Sequence, residues 1–174
     1  CYEMNGDPLP ALHGFPLRLI APGWYGVANV KWLSRIELRS ARHAGRFMAR
    51  DYVTIREDIV AGKTVWTFTT VGHARLKSAP GRVVRRGAQH TIQGAAWGGE
   101  INRVEVQIGD GPWRRVRIGR MRTQGDKAFS WSFWTFDWGR PPAGTYSIRS
   151  RAFGDHGARQ PAPKDPYLAS RRTY

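Results

Sequence analysis

Short runs of β-branched and aromatic residues return at regular spacing through the second half of the chain, with turn formers between them, and this pattern constrains the fold most. Thr91 to Trp97 is the first such run. Arg103-Val104-Glu105-Val106-Gln107-Ile108 then alternates polar with apolar, Gly109-Asp110-Gly111-Pro112 turns, and Trp113 to Ile118 returns, which is the signature of a β-hairpin. Phe129 to Phe136 reads as a further strand, Pro141-Pro142-Ala143-Gly144 as a turn, and Thr145 to Ala152 as another strand. Each strand presents alternate residues to opposite faces, so each must bury one face against a second layer. The pattern predicts a mainly β chain folded as an antiparallel β-sandwich of immunoglobulin-like type, with Trp97, Trp113, Trp131 and Phe133 in its core. The chain has one cysteine, which excludes a disulfide within it.

The first third has a different texture. Residues 1 to about 33 are rich in Pro and Gly around one apolar run, Leu17-Arg18-Leu19-Ile20, which predicts loops with one buried strand. Ile36-Glu37-Leu38 alternates as a short strand would, and Thr64 to Val71 is a clear strand. A short helix is expected between Ala41 and Arg50, weakened by His43 and Gly45. At 174 residues the chain has room for one domain, or for one plus the remnant of a neighbour. It begins at Cys1 with no basic leader and no apolar leader segment, and ends on Arg171-Arg172-Thr173-Tyr174 without a cap, so a piece cut from a longer protein is expected. Its apolar stretches are broken well short of the roughly 20 residues a membrane helix needs, and no membrane span is expected.

Lys and Arg number 28 against 13 Asp and Glu, a balance of +15, which directs attention to anionic partners: nucleic acid, lipid head groups or small oxyanions. The basic residues are scattered, with short clusters only at Arg85-Arg86, Arg114-Arg115-Val116-Arg117 and Arg171-Arg172. A nucleic-acid patch is usually denser, so a basic β protein that binds nucleic acid through aromatic platforms ranks last among the functions considered. Most of these arginines are expected on solvated strand faces, and a few at an anion site. His43, His73, His90 and His156 lack the paired spacing of a zinc site and are expected at the surface. Gly109-Asp110-Gly111 is hairpin chemistry rather than a phosphate loop, and Ser150, Asp155 and His156 show no triad arrangement.

Four pieces of the first third stand in a distinctive order: Tyr2-Glu3-Met4-Asn5-Gly6-Asp7-Pro8-Leu9-Pro10, His13-Gly14-Phe15-Pro16-Leu17-Arg18, Pro22-Gly23 and Val30-Lys31-Trp32-Leu33. Together they strongly resemble the stretch that closes the cofactor domain in the sulfite oxidase family of molybdopterin enzymes. Gly94-Ala95-Ala96-Trp97, Trp131-Ser132-Phe133-Trp134, Pro141-Pro142-Ala143-Gly144 and Arg151-Ala152-Phe153 look like the family's immunoglobulin-like dimerisation domain. The resemblance implies that residues 1–38 are a loop-rich remnant of the α+β molybdopterin-binding domain and residues 39–174 the dimerisation sandwich, of E-set type.

It also implies a function. The intact enzyme would oxidise sulfite, or a related small oxyanion, by oxygen-atom transfer at a Mo centre and pass electrons to a cytochrome c-type acceptor. It would work as a homodimer joined through the sandwich, in the bacterial periplasm rather than the cytoplasm. Molybdopterin has a pterin edge and a terminal phosphate, so its site needs backbone N–H groups and cations. Carried over position by position, His13 and Arg18 would contact the cofactor from one side, and Asn29, Val30 and Lys31 from the turn after Gly26. Trp24 and Tyr25 are expected to pack rather than to line a funnel. The family's Mo-ligating cysteine lies upstream of these motifs; Cys1 is read as a buried structural thiol, no metal ligand is assigned, and the catalytic residues remain unknown. A haem group is a further partner that the resemblance allows, with no residue here assigned to it. The isolated piece is expected to be inactive. The rival reading is a non-catalytic dimerisation module, which asks nothing of His13 or Arg18.

Overall fold

Asn5 and Gly6 both take left-handed backbone angles (φ 57° and 89°), and this pair turns strand β1 (Glu3–Met4) back on β2 (Asp7–Pro8). An Asn-Gly pair is the favoured chemistry for such a two-residue hairpin. The computed structural model describes residues 1–119, 129–162 and 171–172; Thr173 and Tyr174, named above, lie outside the described residues. By packing the chain divides into two compact units, one built on Cys1–His73 with the described residues of the chain end, the other on Ala74–Ala162.

In the first unit, loops dominate as far as residue 52. Leu17–Ile20 is irregular rather than a strand, with Leu17 40% and Ile20 48% exposed, and Ile36–Leu38 is likewise unpaired and exposed. Leu17–Ile20 is bonded singly rather than as a ladder, through Arg18 N–H on the Cys1 carbonyl and Leu19 N–H on the Val30 carbonyl. The helix expected between Ala41 and Arg50 is a single π-helical turn, Phe47–Asp51. Strands β3 (Val53–Val60) and β4 (Lys63–Thr70) follow as an antiparallel hairpin turned by Ala61 and Gly62, and β12 (Arg171–Arg172) pairs with β3. The β4 reading holds; β3 carries Arg56-Glu57-Asp58 in its middle, which hides it from a search for apolar alternation.

The second unit contains β5 (Lys77–Arg86), β6 (Gln89–Trp97), β7 (Arg103–Ile108), β8 (Arg114–Arg115), β9 (Arg117–Ile118), β10 (Ser132–Gly139) and β11 (Ile148–Phe153). One sheet has the order β5-β6-β10-β9 and the other β11-β7-β8, and every pairing is antiparallel. The expected mainly β, antiparallel architecture is therefore what the chain adopts. Leu76, Ile92, Ala96, Val104, Val106, Val116, Trp134 and Ala152 form one core that draws on both sheets. The stretch from Trp113 to Ile118 does return as a hairpin arm, but it changes sheets midway: β8 pairs with β7, buried Val116 intervenes, and β9 pairs with β10.

The expected core aromatics need correcting. Trp134, 1% exposed, is the large core side chain, while Phe133 and Trp131 are 50% and 54% exposed and Trp97 and Trp113 are only partly buried. Strand parity is the reason: on β10, Trp134, Phe136 and Trp138 face the core, so Phe133 must point the other way. Trp97 and Trp131 stack on that outer side with ring centroids 5.0 Å apart, and Phe133 adjoins Trp131 at 6.5 Å.

Inside, a short polar chain ties the core together. Ser78 Oγ accepts from Trp134 Nε1 and donates to Ser150 Oγ at 2.9 Å, so both buried serines and the indole N–H are satisfied. Gln160 Oε1 accepts from the backbone N–H groups of Ser78 and Ala152. Gly94 lies directly against Trp134 and the Ala79 carbonyl, and any Cβ there would overlap both.

The charge balance is dispersed over surfaces, as expected. Glu37 pairs with Arg35 and Arg39 in solvent, and such pairs contribute about 0–1 kcal/mol. Glu105 is better enclosed; Arg151 binds it through two nitrogens at 2.7 Å, and the guanidinium lies over the Trp113 ring at 4.2 Å. Arg149 binds the Gly109 carbonyl and Asp110 in the β7–β8 turn, confirming that Gly109–Gly111 is a hairpin loop.

Candidate cofactor-contact site

The five residues read as cofactor contacts occupy two segments that clasp one another. The first begins at Leu9, which is buried at 3% exposure and donates its N–H to the Tyr2 carbonyl. Ala11–His13 then makes one 3-10 turn, and Gly14, at φ 111°, ends it with its N–H on the Ala11 carbonyl. A side chain at Gly14 would be strained by that angle and would press on Lys31, with its Cβ 3.0 Å from the Lys31 Cα. The absence of a Cβ lets the second segment close over the turn.

That second segment is held at several points. Trp32 donates its N–H to the Gly14 carbonyl at 3.3 Å and its indole Nε1 to the Ala11 carbonyl at 3.0 Å. Lys31 Nζ donates to the Leu12 carbonyl at 2.7 Å and lies 5.7 Å from the Trp32 ring centre. Leu19 N–H reaches the Val30 carbonyl, and Leu33 N–H reaches the Leu17 carbonyl. Asn29 Oδ1 accepts from the Ala21 N–H at 2.7 Å, which pins the end of the turn Gly26–Ala28 to the irregular segment that follows Leu17–Ile20.

His13, Arg18, Asn29, Val30 and Lys31 are therefore brought onto one module, though not with equal freedom. Arg18 donates from a terminal nitrogen to the His13 carbonyl at 3.4 Å, while its Nε is enclosed with no partner. An enclosed guanidinium N–H left open is costly unless a further acceptor arrives, so this atom fits an anionic or carbonyl-bearing group at the module. Lys31 uses one donor on Leu12 and keeps two. Asn29 has committed its oxygen and keeps its amide N–H pair. The donor set is cationic and amide in character, with no carboxylate within it, and it fits the phosphate and pterin edges of molybdopterin.

Other expectations change here. Cys1 is exposed, not a buried thiol, because the β1–β2 hairpin beside it is itself exposed and offers no core. Trp24 does pack, against His73, whose ring centre is 4.7 Å away, and Trp24 keeps 42% of its surface exposed. His43, His73 and His156 are exposed, whereas His90 is half-buried. Among the described residues no three His, Cys, Asp or Glu side chains converge to hold a metal ion, and no helix is long and apolar enough to cross a membrane. Trp32 is the residue that sequence reasoning undervalued. Its indole joins residues 21 positions apart, a contact that only its place beside Lys31 hints at.

Comparison with known proteins follows the same segment. Residues 1–47 match the family profile described as oxidoreductase molybdopterin binding domain. The mouse protein named sulfite oxidase, mitochondrial, is 32% identical over 143 residues, covering 76% of this chain and 26% of the relative. The human protein of that name is 31% identical over 144 residues with the same coverage, and a rice nitrate reductase [NADH] 1 is 29% identical over 160 residues, 78% of this chain and 17% of the relative. The chain thus spans about a quarter of the length of the animal relatives it matches. The bacterial periplasm expected from the resemblance is corrected by these matches: the relatives are animal and plant proteins, and the two animal ones are named mitochondrial. With the motifs, the family profile and the relatives in agreement, the chain belongs to the sulfite oxidase family of molybdopterin-dependent oxidoreductases.

Proposed function

We propose that this chain is the C-terminal part of a sulfite oxidase-like molybdoenzyme, in which residues 1–38 complete the cofactor site and residues 39–174 form the immunoglobulin-like dimerisation domain. The observation that carries the reading is the enclosed, unpartnered Nε of Arg18 on the module that also holds His13, Asn29 and Lys31. Bound molybdopterin would supply a Mo centre for two-electron oxygen-atom transfer. Arg18 would offer its guanidinium to an anionic edge of the cofactor, and Lys31 its two remaining N–H donors as a point charge. His13 would contact the cofactor from the same side. Asn29 and Val30 would present amide groups from a turn already fixed by the Ala21 bond. Trp32 and Gly14 would hold these donors in register before any ligand arrives, which lowers the ordering cost of binding.

Sulfite, or a related oxyanion, is the substrate we assign, with a cytochrome c-type protein as electron acceptor and a second copy of the chain as partner. Positive balance suits an anionic cofactor and an anionic substrate. The test is Arg18→Gln beside His13→Ala in the full-length enzyme, read by pterin fluorescence after release and by sulfite-dependent cytochrome c reduction. Loss of pterin with an unchanged melting temperature supports the reading. Full pterin content in the His13→Ala/Arg18→Ala double variant would leave only the dimerisation-module reading. A separate assay with nitrate as electron acceptor and a reduced viologen dye as donor distinguishes the two activities for which relatives are named.

A further inference from the structure

A pocket lined by residues between Val83 and Ile148 lies wholly within the Ala74–Ala162 unit. It has a volume of about 590 Å³, within the range of roughly 300–1,000 Å³ typical of small-molecule sites. Trp138 and Tyr146 form two of its walls, with rings at 90° and centroids 4.9 Å apart. Tyr146 is itself fixed by donating its hydroxyl to the Pro142 carbonyl at 2.9 Å. Those walls offer a flat apolar slot with one ring face and one ring edge.

The polar groups of the pocket share one sign. Arg85 and Arg140 line it, and no Asp or Glu does. Arg140 makes no ion pair with any described residue, and Arg85 spends only its Nε, on the Gly87 carbonyl at 2.7 Å. His90 also lines the pocket, edge-on to Trp138 at 6.1 Å, and its Nδ1 is enclosed without a hydrogen-bond partner. Two guanidinium groups with free donors, an unsatisfied imidazole nitrogen and an aromatic slot select for a ligand with a planar apolar body and a single anionic group.

We propose that this pocket binds a small aromatic carboxylate. The ring of the ligand stacks on Trp138 beside the Tyr146 edge, its carboxylate is taken by Arg140 and Arg85, and His90 completes the polar rim. The site is independent of the cofactor reading, since no residue of 1–38 lines it.

Titration of the purified chain with benzoate, followed by calorimetry and by the indole N–H resonance of Trp138, tests it, with neutral benzamide as the charge control. Saturable benzoate binding with a Kd of about 1 mM or tighter, and benzamide roughly tenfold weaker, is the expected result. Arg140→Gln, at an exposed position that leaves the core untouched, should weaken benzoate roughly tenfold and leave benzamide unchanged. Trp138→Ala should weaken both ligands; because Trp138 also packs on the core, a melting curve accompanies it. No saturable binding, equal affinity for the two ligands, or benzoate affinity unaltered by Arg85→Gln/Arg140→Gln would each overturn the proposal.

Discussion

The indole Nε1 of Trp134 donates to the hydroxyl of Ser78 at 3.0 Å, inside the core and 56 positions away in sequence. Ser78 donates in turn to Ser150, so the one fully buried indole among the described residues sits at the end of a satisfied polar chain. Ser78→Ala leaves both the Trp134 N–H and the Ser150 hydroxyl without that partner. The expected loss is about 1–3 kcal/mol of unfolding free energy, read as a lower urea midpoint with unchanged slope. A change below a few tenths would mean that the chain is not coupled to stability.

Gly94 is the position where the core tolerates least. An added methyl would overlap the Trp134 ring and the Ala79 carbonyl, and neither can retreat, because one is core and the other is sheet backbone. Gly94→Ala is expected to destabilise by about 1–3 kcal/mol or more, whereas Gly87→Ala, where nothing lies within 4 Å, is expected to cost about 1 kcal/mol or less, from its positive φ alone. Thermal melts of the two variants side by side check the contrast.

The cofactor module should respond to changes in its clasp as well as in its donors. Trp32→Phe keeps the ring but loses the bond to the Ala11 carbonyl. Cofactor content of the full-length enzyme is expected to fall several-fold while the unfolding midpoint moves by no more than about 1 kcal/mol equivalent, as for one exposed hydrogen bond. Retained pterin in this variant would show that the clasp is not needed for loading.

On the outer side of β6 and β10, Trp97, Trp131 and Phe133 leave a contiguous aromatic patch. If the sandwich pairs two copies through it, Trp131→Ser/Phe133→Ser should convert dimer to monomer in light scattering, with the core melting temperature retained because neither residue faces the core. A dimer that survives both changes would move the interface elsewhere.

The strands that the sequence made legible are those with uninterrupted alternation, such as β7, or β-branched runs, such as β4. Those it hid carry local conflicts. Strand β5 has Pro80-Gly81 in its middle, which argues against a strand until the register shift between Pro80 and Arg82 is seen to absorb it. The aromatic run from Phe129 to Phe136 showed that a strand was present but not which face was inward, and reading Phe133 as core placed Trp134 outside it. One residue of register inverts such an assignment completely. At the cofactor module the five positions came from resemblance rather than from pattern. Their bonds join side chains to backbone groups 5 to 19 positions away, and no local periodicity reports contacts of that kind.

Residues Arg114 to Ile118 close one border of each sheet, first as β8 and then as β9. Among the described residues each border is two residues long there, with Val116 buried at the crossing and its N–H already given to Val104. Among the described residues an incoming chain would find only these two-residue edges, and it would meet Arg114, Arg115 and Arg117 on arrival. The basic cluster of the sequence thus stands where both sheets end, a placement of charge that disfavours edge-to-edge pairing.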